Sequence, residues 1–188
     1  MSEFEFISVF VSIVLAFAMA ELLMAWGRLI REHNRVHKPS FFIGWTIWLL
    51  LLMCFHYLGI WEFQAVDFEL VGQLVLLLLP PIILVLLTFV LAPERTRGKA
   101  IDLEEHYFSI RHWLFSLAIL FFVAGTIADM MLPDFGETWI SRISLRLIIV
   151  ITLGLLIVSR NRILHYGVLT FNVGWLILGS IFREVRAL

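Results

Sequence analysis

The stretch Leu74–Leu91, LVLLLLPPIILVLLTFVL, decides how this chain reads. About 20 consecutive apolar residues are needed to cross a bilayer as a helix, and this run carries no charge over nearly that length. Pro80-Pro81 stands at its centre. Each proline lacks an N–H, so the carbonyls of Leu76 and Leu77 lose their helical donors. In hydrocarbon a freed carbonyl must find another partner. The expectation is a kinked span whose freed carbonyls are met by Arg146, His56 or trapped water, with the kink opening a polar layer.

Working outward, the same apolar texture recurs. Of the 188 residues 61% are hydrophobic, above the near-half apolar usage of ordinary soluble domains. The excess lies in long uncharged blocks joined by short polar links. Six spans are expected: Phe4–Ile30, Phe41–Trp61, Leu70–Ala92, His112–Leu132, Ile140–Val158 and Ile163–Phe182. Trp26, Trp61, Trp113, Trp139 and Tyr166 sit near block ends, as interfacial aromatics do. The links leave no room for a second domain, so residues 1–188 read as one all-α transmembrane bundle of three consecutive hairpins.

The links alternate in charge. The first carries Arg28, Arg31, Arg35 and Lys38, the third Arg95, Arg97, Lys99 and Arg111, and the fifth Arg160 and Arg162. The second and fourth carry only acids. The positive-inside rule then places the odd links in the cytoplasm and both termini outside. Arg183 and Arg186 in the tail oppose that orientation. The cytoplasmic Arg and Lys residues are candidate contacts for anionic lipid head groups. The acidic N-terminus lacks the basic region of a cleavable signal, so the first block reads as a retained span. Short links and no recognised leader fit a bacterial inner membrane.

Composition excludes several classes. A net charge of −1 gives no bulk attraction for nucleic acid. Cys54 is alone, so no intramolecular disulfide forms. No catalytic motif is found. HNRVH lacks the Glu of the zinc-protease HExxH pattern, and the acids and Arg111 of EEHYFSIR miss the EExxxR spacing of CAAX-type membrane proteases. His33 and His37 sit at i and i+4, a metal-compatible spacing if the link is helical. A solvated surface is the competing reading, and no metal or other cofactor is expected. His112 and His165 both lie near the basic ends of their blocks and could face each other across a haem; interfacial histidines are the commoner outcome. No Lys lies in any block, which excludes a retinal Schiff base.

Ionisable and polar groups inside spans are costly and are functional candidates by default. Glu21 lies about 10 Å inside the first block's basic end, and shares a helix face with Ala18, Ala25 and Arg28. Either it fixes packing as an ion pair, or it handles a proton or cation. Arg146 lies about 9 Å below the opposite end, where it can snorkel or pair with Asp129. His56, Gln73, Ser8, Ser12 and Thr126 share that outer third. Glu21, Thr46, Thr88, Thr152 and Thr170 form an inner layer, with Asn172 nearer the middle. Two polar layers around an apolar constriction resemble a gated path. Scattered Ser and Thr that bond back to their own helix are the plainer account.

The reading that uses most of these residues is a channel or transporter for protons, ions or a small solute. Glu21 would be its protonatable group, and Pro80, Pro81, Arg146, His56, Gln73, Asn172 and Asp129 its polar path. So small a chain would act as a homo-oligomer. The alternative is a non-conducting accessory or assembly subunit of a larger membrane complex, with Glu21 and Arg146 as interhelical glue.

Overall fold

The computed structural model describes residues 3–66, 68, 70–93, 101–132 and 135–182. Among them the chain forms six helices: α1 (Glu3–Arg31), α2 (Ser40–Ile60), α3 (Val71–Leu91), α4 (Leu103–Asp129), α5 (Phe135–Val158) and α6 (Arg162–Phe182). Short 3-10 turns, His33–Arg35 and Trp61–Ala65, follow α1 and α2. The architecture is all-α. Four segments are long and apolar enough to cross a membrane: α1, Ser40–Ala65, α3 and α4. In α6 the stretch Arg162–Leu178 is a shorter apolar helix.

Helix starts are set by local acceptors. Asp102 caps α4, its carboxylate accepting the N–H groups of Glu104 and Glu105 at 3.0 and 3.1 Å, which satisfies two of the donors every helix leaves open. Asn161 accepts from Ile163 N–H at 2.9 Å at the start of α6. Gln73 accepts from Leu70 N–H at 3.0 Å at the start of α3.

Two helices begin earlier than the apolar blocks indicate. α4 starts at Leu103, not near His112, and α5 at Phe135, not near Ile140. The extra turns of α4 are amphipathic. Leu103, Tyr107 and Arg111, spaced by four, are all buried, so one stripe packs inward although the segment as a whole is polar. Arg111 is therefore not a solvated link residue; it is 7% exposed.

The helices form one layer-like bundle in which α3 packs between α1 and α4, α4 also meets α5, and α2 meets α1, α3, α4 and α6. Gly44 allows the α2–α6 approach: a Cβ there would overlap the side chain of Leu169. Trp26 Nε1 donates to Thr46 Oγ1 at 3.0 Å across α1 and α2. The outward faces are apolar, including Phe6, Ile13 and Phe17 on α1 and Val75, Ile82 and Phe89 on α3, and are compatible with lipid contact.

The first link, the described residues just before α4 and the start of α6 meet at one end, hereafter the basic end. Strands β1 (Val36–His37) and β2 (Ile101–Asp102) pair in parallel there. Lys38 Nζ reaches Asp102 at 3.0 Å and Glu104 at 3.9 Å, and Arg162 pairs with Glu104. Arg95, Arg97, Lys99, Arg183 and Arg186 lie outside the described residues. The opposite, acidic end gathers the end of α2, the start of α3, the end of α4 and the first half of α5.

Candidate functional site

The acidic end holds a charged network inside apolar walls. Asp129, the last residue of α4, keeps only 9% of its side chain exposed. Arg142 and Arg146 stand one turn apart on α5, so both present to the same neighbour. Arg146 Nη2 lies 2.8 Å from Asp129 Oδ2, and Arg142 Nη1 is 3.4 Å from the same oxygen. Arg142 Nη1 also reaches Glu62 Oε2 at 2.8 Å, in the turn after α2. Arg146 Nη1 donates to Thr126 Oγ1 at 3.2 Å. Three parts of the chain, the α2 exit, α4 and α5, are thereby tied by charge-assisted hydrogen bonds.

Two cavities flank this network. The first, about 200 Å³, is lined by His56, Glu62, Pro80, Asp129, Arg142 and Arg146 among apolar residues that include Leu77, Phe121 and Phe122. His56 Nε2 is buried there without a hydrogen-bond partner among the described residues, its ring edge-on to Phe121 at 5.5 Å. The second, about 460 Å³, is lined by Trp48, Phe55, Phe122, Arg146, Asn172 and Trp175 with Glu62, Leu145, Ile149 and Leu176. Asn172 is buried and its Nδ2 donates to Val168 O at 2.9 Å. Arg146, Phe55, Glu62 and Phe122 belong to both linings, so the Arg146 side chain stands at the partition.

The sequence-derived polar path therefore divides. His56, Pro80, Asp129, Arg146 and Asn172 come together around the two cavities. Pro81 is buried in α3 but is not among the lining residues. Glu21 lines neither cavity; its Oε1 lies 3.6 Å from Arg28 Nη2 on its own helix. Gln73 is spent on capping α3. Of the inner layer, Thr88 and Thr152 donate to Val85 O and Ile149 O one turn back, Thr46 takes Trp26, and Thr170 is exposed. Ser8 and Ser12 likewise donate to their own helix.

One expectation is corrected, and the two histidine pairings weighed in the sequence are placed. Pro80 and Pro81 do lie within one continuous helix, α3, but neither Arg146 nor His56 serves the carbonyls of Leu76 and Leu77. Arg146 is taken by Asp129 and Thr126, because a carboxylate is the stronger acceptor for a guanidinium. His33 and His37 do not share a helical face: α1 ends at Arg31, His33 lies in a 3-10 turn and His37 in β1. Among the described residues no group of three or more metal-ligating side chains forms. His112 and His165 do not face each other across a haem-sized gap. His112 is exposed, and both ring nitrogens of His165 are engaged, Nδ1 with Tyr107 Oη at 2.5 Å and Nε2 with Ser159 O at 3.0 Å.

That last contact fixes a tautomer. A carbonyl only accepts, so Nε2 carries the proton, and in the neutral ring Nδ1 accepts from the Tyr107 hydroxyl. Phe41 stacks on Tyr107 at 4.8 Å and on Tyr166 at 4.2 Å, closing an aromatic plug at the basic end. Sequence reasoning missed Tyr107, and missed Glu62 as the partner of Arg142. Glu62 had a signal, an acid in a link at the same end as Arg142. Tyr107, 58 residues from His165, had none. Comparison with protein-family models, curated proteins and solved structures finds no match to this chain.

Proposed function

We propose that this chain is an integral membrane protein of six spans that moves a small solute or ion through the half-bundle formed by α2, α4, α5 and α6. The observation that carries the reading is the position of Arg146, paired with Asp129 at 2.8 Å and placed between two adjoining cavities. A charge at such depth is expensive unless it is paired or serves a path, and here it has a partner and open space beside it. Breaking and remaking the Asp129–Arg146 pair is the gating step of this proposal. The basic end faces the cytoplasm, both termini face outward, and a bacterial inner membrane and a homo-oligomeric assembly complete the reading. Glu21, paired within α1, serves packing in this scheme.

The test is flux of protons, small ions and small organic solutes in proteoliposomes, comparing wild type with Arg146→Gln/Asp129→Asn. Flux in the wild type that changes in the double variant supports the path. Absence of flux in the wild type ends the transport reading. It favours the second one, a non-conducting subunit, for which the network joining the α2 exit, α4 and α5 is static interhelical glue. Flux that Glu21→Gln alters as strongly as the double variant would return Glu21 to the path.

A further inference from the structure

The larger cavity has a chemical character of its own. Its walls are aromatic and aliphatic: Trp48, Phe55, Phe122, Ile149 and Trp175. The cation among its lining residues is Arg146, and Asp129, the acid that pairs with Arg146, lines only the smaller cavity. Glu62, the acid on the rim, leaves 36% of its side chain exposed and is engaged by Arg142. A guanidinium carries five N–H donors. Thr126 and Asp129 are met by Nη1 and Nη2, so donors are left for a second acceptor in the cavity that Arg146 lines. Asn172 is buried in the same lining, with Nδ2 on Val168 O, and its side-chain carbonyl and second amide hydrogen are additional polar groups. His56, which lines the smaller cavity, has a buried Nε2 with no hydrogen-bond partner among the described residues.

We infer that the larger cavity binds a small organic monocarboxylate, its carboxylate on Arg146 and its apolar body between Trp48, Phe55, Phe122 and Trp175. This rests on the proposed solute path, because it makes Arg146 the group that meets the solute. Small-molecule sites have this build, mostly apolar walls with a few convergent polar groups that fix orientation. A carboxylate matches a guanidinium in two parallel hydrogen bonds, whereas an ammonium would lie against Arg146 and find as its acid Glu62, which Arg142 already engages. The apolar body supplies the burial, and the cavity of about 460 Å³ has room for a ring or a short branched chain.

The experiment is calorimetric titration of the full chain in nanodiscs with benzoate, benzamide and benzylammonium, three probes of one shape and different charge. The expected result is saturable benzoate binding, with benzamide and benzylammonium weaker by roughly tenfold or more. Arg146→Gln/Asp129→Asn removes both charges together, so no buried ion is stranded, and it should abolish the preference for benzoate. Trp175→Ala, on a partly exposed wall, should weaken all three probes while keeping their order. Absence of benzoate binding in the wild type overturns the inference. So does benzoate binding unchanged in the double variant, and so does a preference for benzylammonium. Binding without flux would overturn the transport reading and leave this site standing. Flux without benzoate binding would overturn this site and leave the transport reading standing.

Discussion

The two ends of the bundle bury polar groups in opposite ways. At the basic end, Tyr107, His165 and the Ser159 carbonyl form a short chain of hydrogen bonds under stacked Phe41 and Tyr166. At the acidic end, Asp129, Arg142, Arg146 and Glu62 bond across three parts of the chain, and space is left beside them. Neither end is wholly satisfied, since Arg111 Nε and His56 Nε2 are both buried without a partner among the described residues. The difference is that Arg111 donates through Nη1 to Phe108 O on its own helix, whereas His56 borders a cavity. A neutral pair such as Tyr107–His165 can be packed around closely. A cluster of full charges carries a large desolvation cost and holds its geometry only while every member is present.

That contrast can be broken by removing one charge. Asp129→Ala should destabilise the protein by roughly 2–4 kcal/mol, read as a fall in Tm in detergent. This is near the range for a broken buried pair, tempered because Arg142 and Arg146 keep 25% and 27% of their side chains exposed. Arg146→Gln/Asp129→Asn should cost clearly less than Asp129→Ala. If the double variant is the worse of the two, the carboxylate is not offsetting the guanidinium charge.

A smaller effect sharpens the comparison. Tyr107→Phe leaves His165 Nδ1 without its donor and should cost about 1–3 kcal/mol. His56→Leu deletes a nitrogen that has no partner among the described residues, so it should be neutral or mildly stabilising, within about 1 kcal/mol. Equal losses from the two substitutions would mean that His56 has a partner in the working protein, placing it within the site.

The smallest expected effect belongs to the basic surface. The Glu105 N–H and the Lys38 ammonium hold the Asp102 carboxyl below its ordinary value. A carboxyl lowered in the folded state contributes stability above its unfolded value, and that contribution is lost as pH falls through the folded one. Wild type should therefore exceed Asp102→Asn in Tm at neutral pH and converge with it below the ordinary Asp range. Asn keeps the cap, so the comparison isolates the charge. A gap that persists at low pH would assign the effect to geometry instead.

Much of the secondary structure was legible because helix formation is local. In Leu74–Leu91 the composition alone indicates a helix that lipid can hold, and the structure runs that helix through both prolines. The start of α4 was less legible, since EEHYFSIRH is polar on average and only its four-residue stripe turns inward. The site was legible as a set of depths: Asp129, Arg146 and His56 were placed in the same third of the bundle, and Asp129 was named as a partner for Arg146. Which way each residue faces around its helix axis was not.

What the sequence determined by itself is therefore the all-α character, the apolar helices, and the height of each charge along them, because backbone hydrogen bonding and hydrophobicity act over one or two turns. What the tertiary structure decided is who meets whom. Arg146 could have snorkelled or answered the carbonyls freed by Pro80 and Pro81; rotation of α5 against α4 gave it to Asp129. Glu21 could have faced a path; α1 kept it beside Arg28. His165 found Tyr107 because α6 and α4 meet at the basic end. Those choices depend on helix azimuth and close packing between segments far apart in the chain, which no local pattern encodes. The same packing carried Pro80 of α3 to the edge of a cavity.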